Sequence, residues 1–173
     1  MAGARPTAVT VFGVLNIVFG ALGLLGTPFS AMVLAASDAR NPVVVVLREN
    51  AGYRAWFILG HCLGVVVAIA LVVTGIGLLK LKPWARKASI AYGIYAIAMG
   101  VIGFIVNAVY LFGPLMERAR QAHGAEAGAA IGGTIGGALG GCLALVYPVL
   151  LLIFMTRPNV AAAFRTQAPQ DAP

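Results

Sequence analysis

The stretch from Gly128 to Gly141, G-A-A-I-G-G-T-I-G-G-A-L-G-G, constrains the fold of this chain more than any other. Its glycines recur every four residues in two series, which form two neighbouring rows on a helix. The rows are Gly128, Gly132, Gly136 and Gly140, and then Gly133, Gly137 and Gly141. In water each glycine would disfavour a helix by about 1 kcal/mol relative to alanine, yet the stretch continues without a charge into CLALVYPVLLLIFM. The pattern predicts a membrane-spanning helix, because lipid forces the backbone to bond to itself and a bare face admits another helix.

The composition supports a membrane protein and argues against a water-soluble domain. Of the 173 residues, 61% are hydrophobic and 10% are charged, with a mean hydropathy of +0.95; about a quarter of the residues of a soluble domain are charged. Four segments reach the roughly 20 residues that cross the hydrocarbon. We therefore predict a single all-α domain of four transmembrane helices at about 6–26, 56–79, 88–112 and 129–155.

The first apolar segment has an alternative interpretation as a signal peptide, because Arg5 precedes it and A-A-S at 35–37 resembles a cleavage site. The apolar run is longer than the usual 7–15 residues of a signal peptide, so we expect a permanent span. Gly-Thr-Pro at 26–28 is predicted to interrupt it. The connection at 27–55 contains a β-branched run at 43–47, which is either a short strand or a segment in the membrane interface.

Basic residues predict the orientation. The N-terminus, the 80–87 connection and the tail at 156–173 together carry seven basic residues and one acidic residue, against five and four in the other two connections. Both termini are therefore expected in the cytoplasm, with 27–55 outside and a disordered tail. The densest basic cluster is Lys80, Lys82, Arg86 and Lys87, which we interpret as a topology determinant that also attracts anionic lipid headgroups. The net charge of +7 does not indicate nucleic acid, because the basic residues lie between apolar segments.

Two features suggest an internal duplication. Phe12, Gly13, Ile17, Gly20 and Gly23 correspond at an offset of 80 to Tyr92, Gly93, Ile97, Gly100 and Gly103. The second and fourth spans also end alike, at Lys82-Pro83 and Arg157-Pro158. We predict two tandem helical hairpins related by a pseudo-two-fold axis along the membrane normal.

Few residues could carry chemistry. No acidic residue lies deep in a span, which disfavours a proton-coupled transporter or a carboxylate enzyme. Asn16 and Asn107 are expected to bond between helices or to line a polar pathway, and His61 to hydrogen-bond rather than catalyse. Cys62 and Cys142 are expected to be unpaired packing residues. We predict no enzyme activity, cofactor or metal site.

Two stretches are similar to patterns in small bacterial four-span membrane proteins of uncharacterised function: GIGLLKLKPWARK at 75–87 and VYPVLLLIFMTRPNV at 146–160. The segment RPTAVTVFGVLNIVFG at 5–20 fits the same resemblance. The resemblance implies a multi-pass protein of the bacterial inner (plasma) membrane and four helices, and it carries no catalytic residues.

The sequence favours an interaction scaffold or accessory subunit, whose partners are the lipid bilayer and either a second copy or another membrane protein. Gly60 and Gly64 add a further small-residue pair to the packing surface. The alternative is an oligomeric channel or passive conduit, in which the glycine helix lines a subunit interface and Asn16 or Asn107 faces water.

Overall fold

The computed structural model describes residues 6–35, 42–121 and 123–165, and within these ranges the chain is helical with no strand. The helices are α1 (Thr7–Ala35), α2 (Pro42–Glu49), α3 (Ala51–Leu79), α4 (Pro83–Asn107), α5 (Gly113–Gln121), α6 (Ala125–Thr156) and α7 (Pro158–Arg165), and a π-helical segment, Ala108–Phe112, joins α4 to α5.

Four of these helical stretches are long and apolar enough to span a membrane. They are Thr7–Pro28, Ala51–Leu79, Pro83–Gln121 and Ala130–Thr156. The prediction of an all-α, multi-pass protein with four spans is therefore confirmed.

The predicted interruption of the first span at 26–28 is wrong, because α1 continues through Pro28 to Ala35. A helix in lipid tolerates proline where side chains and local adjustments satisfy the freed backbone groups. Next to Pro28, the Thr27 hydroxyl donates to the Gly23 carbonyl of the preceding turn at 3.1 Å. Arg5 and residues 36 and 37 of the A-A-S stretch lie outside the described residues.

The strand alternative for 43–47 is also wrong, because this run belongs to α2. A lone strand has no neighbour to pair with, whereas a helix bonds its own backbone. Pro42 is suited to the first helical position, because an N–H group there would have no acceptor within the helix. Val44, Val46 and Leu47 are buried, so the helix is held by its apolar side.

Residues 113–121 extend the third span beyond its predicted end at 112. The helix widens over Ala108–Phe112 and then continues as α5 through Pro114. Proline lacks the N–H that continues an α-helical ladder, and a π-helical turn is one way a helix accommodates such a break.

The sequence predicted a disordered tail, but part of the tail is helical. Residues 158–165 form α7, which buries Val160 and Phe164 against the bundle. An amphipathic helix with an apolar side to bury orders when a core is available to receive it. Residues 166–173 lie outside the described residues.

The spans pack as two hairpins, α1 against α3 and α4 against α6. The hairpins meet at the end of the bundle where residues 80–82 connect α3 to α4. Nine residues form the core there: Val9, Phe12, Leu78, Leu81, Ala85, Leu151, Met155, Val160 and Phe164. A smaller cluster at the opposite end joins α2 and the start of α3 to the end of α4, through Val46, Leu47 and Tyr53.

Candidate interaction surface

Most of the glycines of α6 face open space within the chain. A methyl group added at any of five positions would meet no neighbouring atom within 4 Å; these are Gly128, Gly132, Gly133, Gly136 and Gly140. A methyl group at Gly137 would lie 3.2 Å from the Phe112 ring, and one at Gly141 would lie 3.6 Å from Phe104. The packing that these seven glycines permit is therefore largely unused inside the monomer.

Large apolar side chains flank the open glycines. Ile131, Ile135, Leu139 and Leu143 follow the same four-residue spacing, one position ahead of a glycine row, and are 41% to 70% exposed. A flat glycine strip beside a raised aliphatic ridge is a shape that a second helix can fit closely. We call the five open glycines and this ridge the α6 glycine face.

Gly60 and Gly64 of α3 are open as well, with no atom within 4 Å of an added methyl group. The glycines that pack most tightly inside the chain, with an atom closer than 3.0 Å to an added methyl group, are different ones: Gly13, Gly20, Gly75, Gly77, Gly93 and Gly100. The sequence contained a signal for four of them. Gly13 and Gly20 lie seven residues apart on one helix face, as do Gly93 and Gly100.

Asn16 and Asn107 each bond to a tyrosine of the other hairpin. The Tyr147 hydroxyl on α6 donates to Asn16 Oδ1 on α1, and Asn16 is fully buried. Asn16 Nδ2 has no hydrogen-bond partner among the residues that the structure describes. The Tyr53 hydroxyl on α3 donates to Asn107 Oδ1 at 2.7 Å, and Asn107 Nδ2 donates to the Gly103 carbonyl at 2.8 Å. Both asparagines thus connect helices of different hairpins.

His61 bonds within its own helix. Its Nδ1 lies 3.2 Å from the Phe57 carbonyl, and its ring stacks on Phe57 with centroids 4.7 Å apart. Within the described ranges, no group of three or more His, Cys, Asp or Glu residues is arranged to hold a metal ion.

Cys62 and Cys142 are both free and exposed. Their predicted role as packing residues is therefore wrong within the monomer. Apolar segments make cysteine burial a reasonable expectation, but the crossing of the helices decides which side of each span is covered.

The basic cluster has a structural component in addition to its charge. Arg86 Nε on α4 donates to the Met155 carbonyl at 2.9 Å, so it satisfies a backbone group near the carboxyl end of α6. Arg157 lies over the Phe154 ring, 4.4 Å from its centroid. Lys80 and Lys87 are exposed, and Lys82 immediately precedes α4.

Comparisons with known proteins add no assignment to this geometry. No family model matches the chain, and no curated protein or solved structure is similar to it. The function must therefore be inferred from the surface itself.

Proposed function

We propose that this protein is a non-enzymatic membrane protein that serves as an interaction scaffold or accessory subunit, and that it assembles through the α6 glycine face. One observation carries the proposal: five glycines of α6 have no atom of the described residues within 4 Å of an added methyl group. A lipid-facing helix gains nothing from glycine, whereas a close helix contact requires it.

A second copy of the chain is the first partner to test. Every copy presents the same face, and two glycine rows that cross each other allow the backbones to approach closely on both sides. A span of another membrane protein with small residues at the same spacing is the other candidate.

The proposal includes the duplicated architecture and the orientation. Equivalent contacts support duplication. Gly13 lies against Leu79 as Gly93 lies against Leu152, and Gly20 lies against Val72 as Gly100 lies against Leu145. The glycines differ by 80 and both pairs of partners by 73. The basic residues at the 80–82 end support placing that end, with both termini, in the cytoplasm of a bacterial cell.

The test is native mass spectrometry of the purified protein in mild detergent. We expect a defined oligomer that Gly136→Leu converts to monomer, because the larger side chain prevents close approach. Cys62→Leu is the matched control, since it adds bulk at an exposed position of α3, outside the α6 glycine face.

Two results would contradict self-assembly through this face. One is a wild-type monomer, and the other is an oligomer that Gly136→Leu leaves intact. If the wild type is monomeric, crosslinking in native membranes at residue 136 should capture a different membrane protein. If it captures none, the interaction function itself is overturned.

The channel alternative has less support. Both polar groups of Asn107 and the oxygen of Asn16 bond inside the chain, so these amides already use most of their hydrogen-bonding capacity in the monomer. Ion or solute flux through liposomes that contain the oligomer would reverse this preference.

A further inference from the structure

A groove of about 250 Å³ lies between α1 and α3, away from the α6 glycine face. Glycines from both helices open it, because Gly26, Gly60 and Gly64 have no atom within 4 Å of an added methyl group. Among the described residues that line it, two have polar side chains, Thr27 and His61.

Both polar side chains use their protons on their own helices. The Thr27 hydroxyl donates its proton to the Gly23 carbonyl at 3.1 Å, so its oxygen can only accept a hydrogen bond from a ligand. His61 Nδ1 bonds to the Phe57 carbonyl, and since a carbonyl only accepts, Nδ1 must carry the proton. In neutral histidine the other ring nitrogen, Nε2, is then an acceptor. The side chains of the groove therefore offer hydrogen-bond acceptors.

The acceptor at His61 is held in place before any ligand arrives. Its ring is fixed by the Nδ1 bond and by stacking on Phe57, with an interplanar angle of 27°. A fixed acceptor beside an apolar groove favours a ligand with a hydrogen-bond donor at one end and an apolar body. Binding then costs little entropy at His61, because its side chain is already ordered.

The depth of the groove in the membrane and the charge near it limit which kind of hydrogen-bond donor the ligand can carry. Trp56, near the start of α3, is a residue type of the headgroup boundary, and His61 lies five residues beyond it, about 7.5 Å deeper along the helix. A donor at that depth belongs below a phosphate headgroup. Arg54 is exposed and lies two turns before His61 on the same side of α3, so a cationic donor is disfavoured.

We propose that this groove binds a neutral lipid alcohol, a molecule with a free hydroxyl and a long apolar body, whose hydroxyl donates to His61 Nε2 while its chain lies along Gly60 and Gly64. This site does not depend on the assembly through α6, so either proposal can fail without the other.

The test uses the full chain in lipid nanodiscs with three photoactivatable probes: a diacylglycerol, its methyl ether, and phosphatidylglycerol. We expect the diacylglycerol to label residues 23–27 and 60–65 about fivefold more than the methyl ether, the difference that one hydrogen bond supplies. Phosphatidylglycerol should label them no more than the ether does. Equal labelling by diacylglycerol and ether, or preferential labelling by phosphatidylglycerol, would overturn the proposal.

Variants distinguish the contribution of the hydrogen bond to the ligand hydroxyl from that of the space in the groove. His61→Phe keeps the stacking and should reduce diacylglycerol labelling to the level of the ether. Gly64→Leu should reduce labelling by both probes, whereas Gly103→Leu, at an open glycine of α4 outside both proposed sites, should change neither. Nitrogen NMR of labelled His61 provides a second measurement that does not depend on crosslinking. Nε2 should be unprotonated, and its resonance should shift when the alcohol is added; a proton on Nε2 in the absence of the alcohol would contradict the proposal.

Discussion

The two hairpins use glycines with the same spacing in different ways. In the α1/α3 hairpin, glycines meet backbone as well as side chains: a methyl group at Gly20 would lie 2.6 Å from the Ala68 carbonyl, and one at Gly75 would lie 2.6 Å from the Gly13 carbonyl. In the α4/α6 hairpin, glycines receive side chains instead. A methyl group at Gly93 would lie 2.7 Å from Leu152 Cγ, and one at Gly100 would lie 2.5 Å from Leu145 Cδ2.

This difference explains why α6 has unused glycines. The leucine side chains that enter the sockets of α4 come from α6 itself, so its glycines are left on other sides of the helix. The same arrangement leaves a groove of about 210 Å³ between α4 and α6, lined in part by Gly103, Gly137 and Gly141. Glycine spacing therefore marks where a helix can be approached, and the partner decides whether backbone or side chain does so.

The largest expected effect comes from matched alanine substitutions at Gly20 and Gly100. Gly20→Ala should destabilise the fold by about 3 kcal/mol, because the backbone it strikes cannot move aside. Gly100→Ala should cost about 1 kcal/mol, because the end of Leu145 can rotate. Unfolding titrations with SDS, followed by tryptophan fluorescence, measure both, and Gly26→Ala is the control without a clash. Equal costs at the two positions would show that the hairpins pack alike.

Arg86 should matter for the α4/α6 hairpin beyond its charge. Arg86→Lys keeps the charge but loses the guanidinium bond to the Met155 carbonyl, at a cost of about 1.5 kcal/mol. Lys87→Met removes an exposed charge in the same turn and should leave the unfolding free energy nearly unchanged. The same titration compares them, and a larger effect at position 87 would return the cluster to a purely topological role.

The hydrogen bonds between hairpins should contribute less. Tyr147→Phe should cost about 1 kcal/mol, since Asn16 would lose its bond while fully buried, and Tyr53→Phe about 0.6 kcal/mol, since Asn107 keeps its bond to Gly103. Double-mutant cycles with Asn16→Ala and Asn107→Ala isolate each pair. Coupling near zero at Asn16 would mean that aromatic packing alone joins α1 to α6.

The smallest effect is expected in the groove of the α4/α6 hairpin. Gly103→Ala meets no atom within 4 Å and should stabilise the protein by about 0.5 kcal/mol, because alanine loses less backbone freedom on folding. Its counterpart Gly23→Ala would approach the Ala68 side chain at 3.2 Å and should gain nothing. The thermal midpoints of the two variants test this contrast, and destabilisation by Gly103→Ala would contradict the open groove.

Some parts of this structure could be predicted because they depend on local composition. The runs around Gly128–Met155 and Trp56–Leu79 are apolar for longer than a bilayer is thick, so their helical state follows from the need to satisfy the backbone in lipid. The errors lay where local rules compete with packing. Pro28 and the 43–47 valines carry signals for a break and a strand, but each lies in a helix.

The sequence by itself determined four spans, their small-residue faces and the absence of acidic groups from the predicted spans, because hydropathy and spacing are properties of one segment at a time. Only the tertiary structure decided which glycines are consumed, that Tyr53 meets Asn107 and Tyr147 meets Asn16, and that the α6 glycine face stays open. Helical spacing shows which residues share a side of a helix, but the neighbour on that side is set by how all the helices cross, which involves residues far apart in the chain.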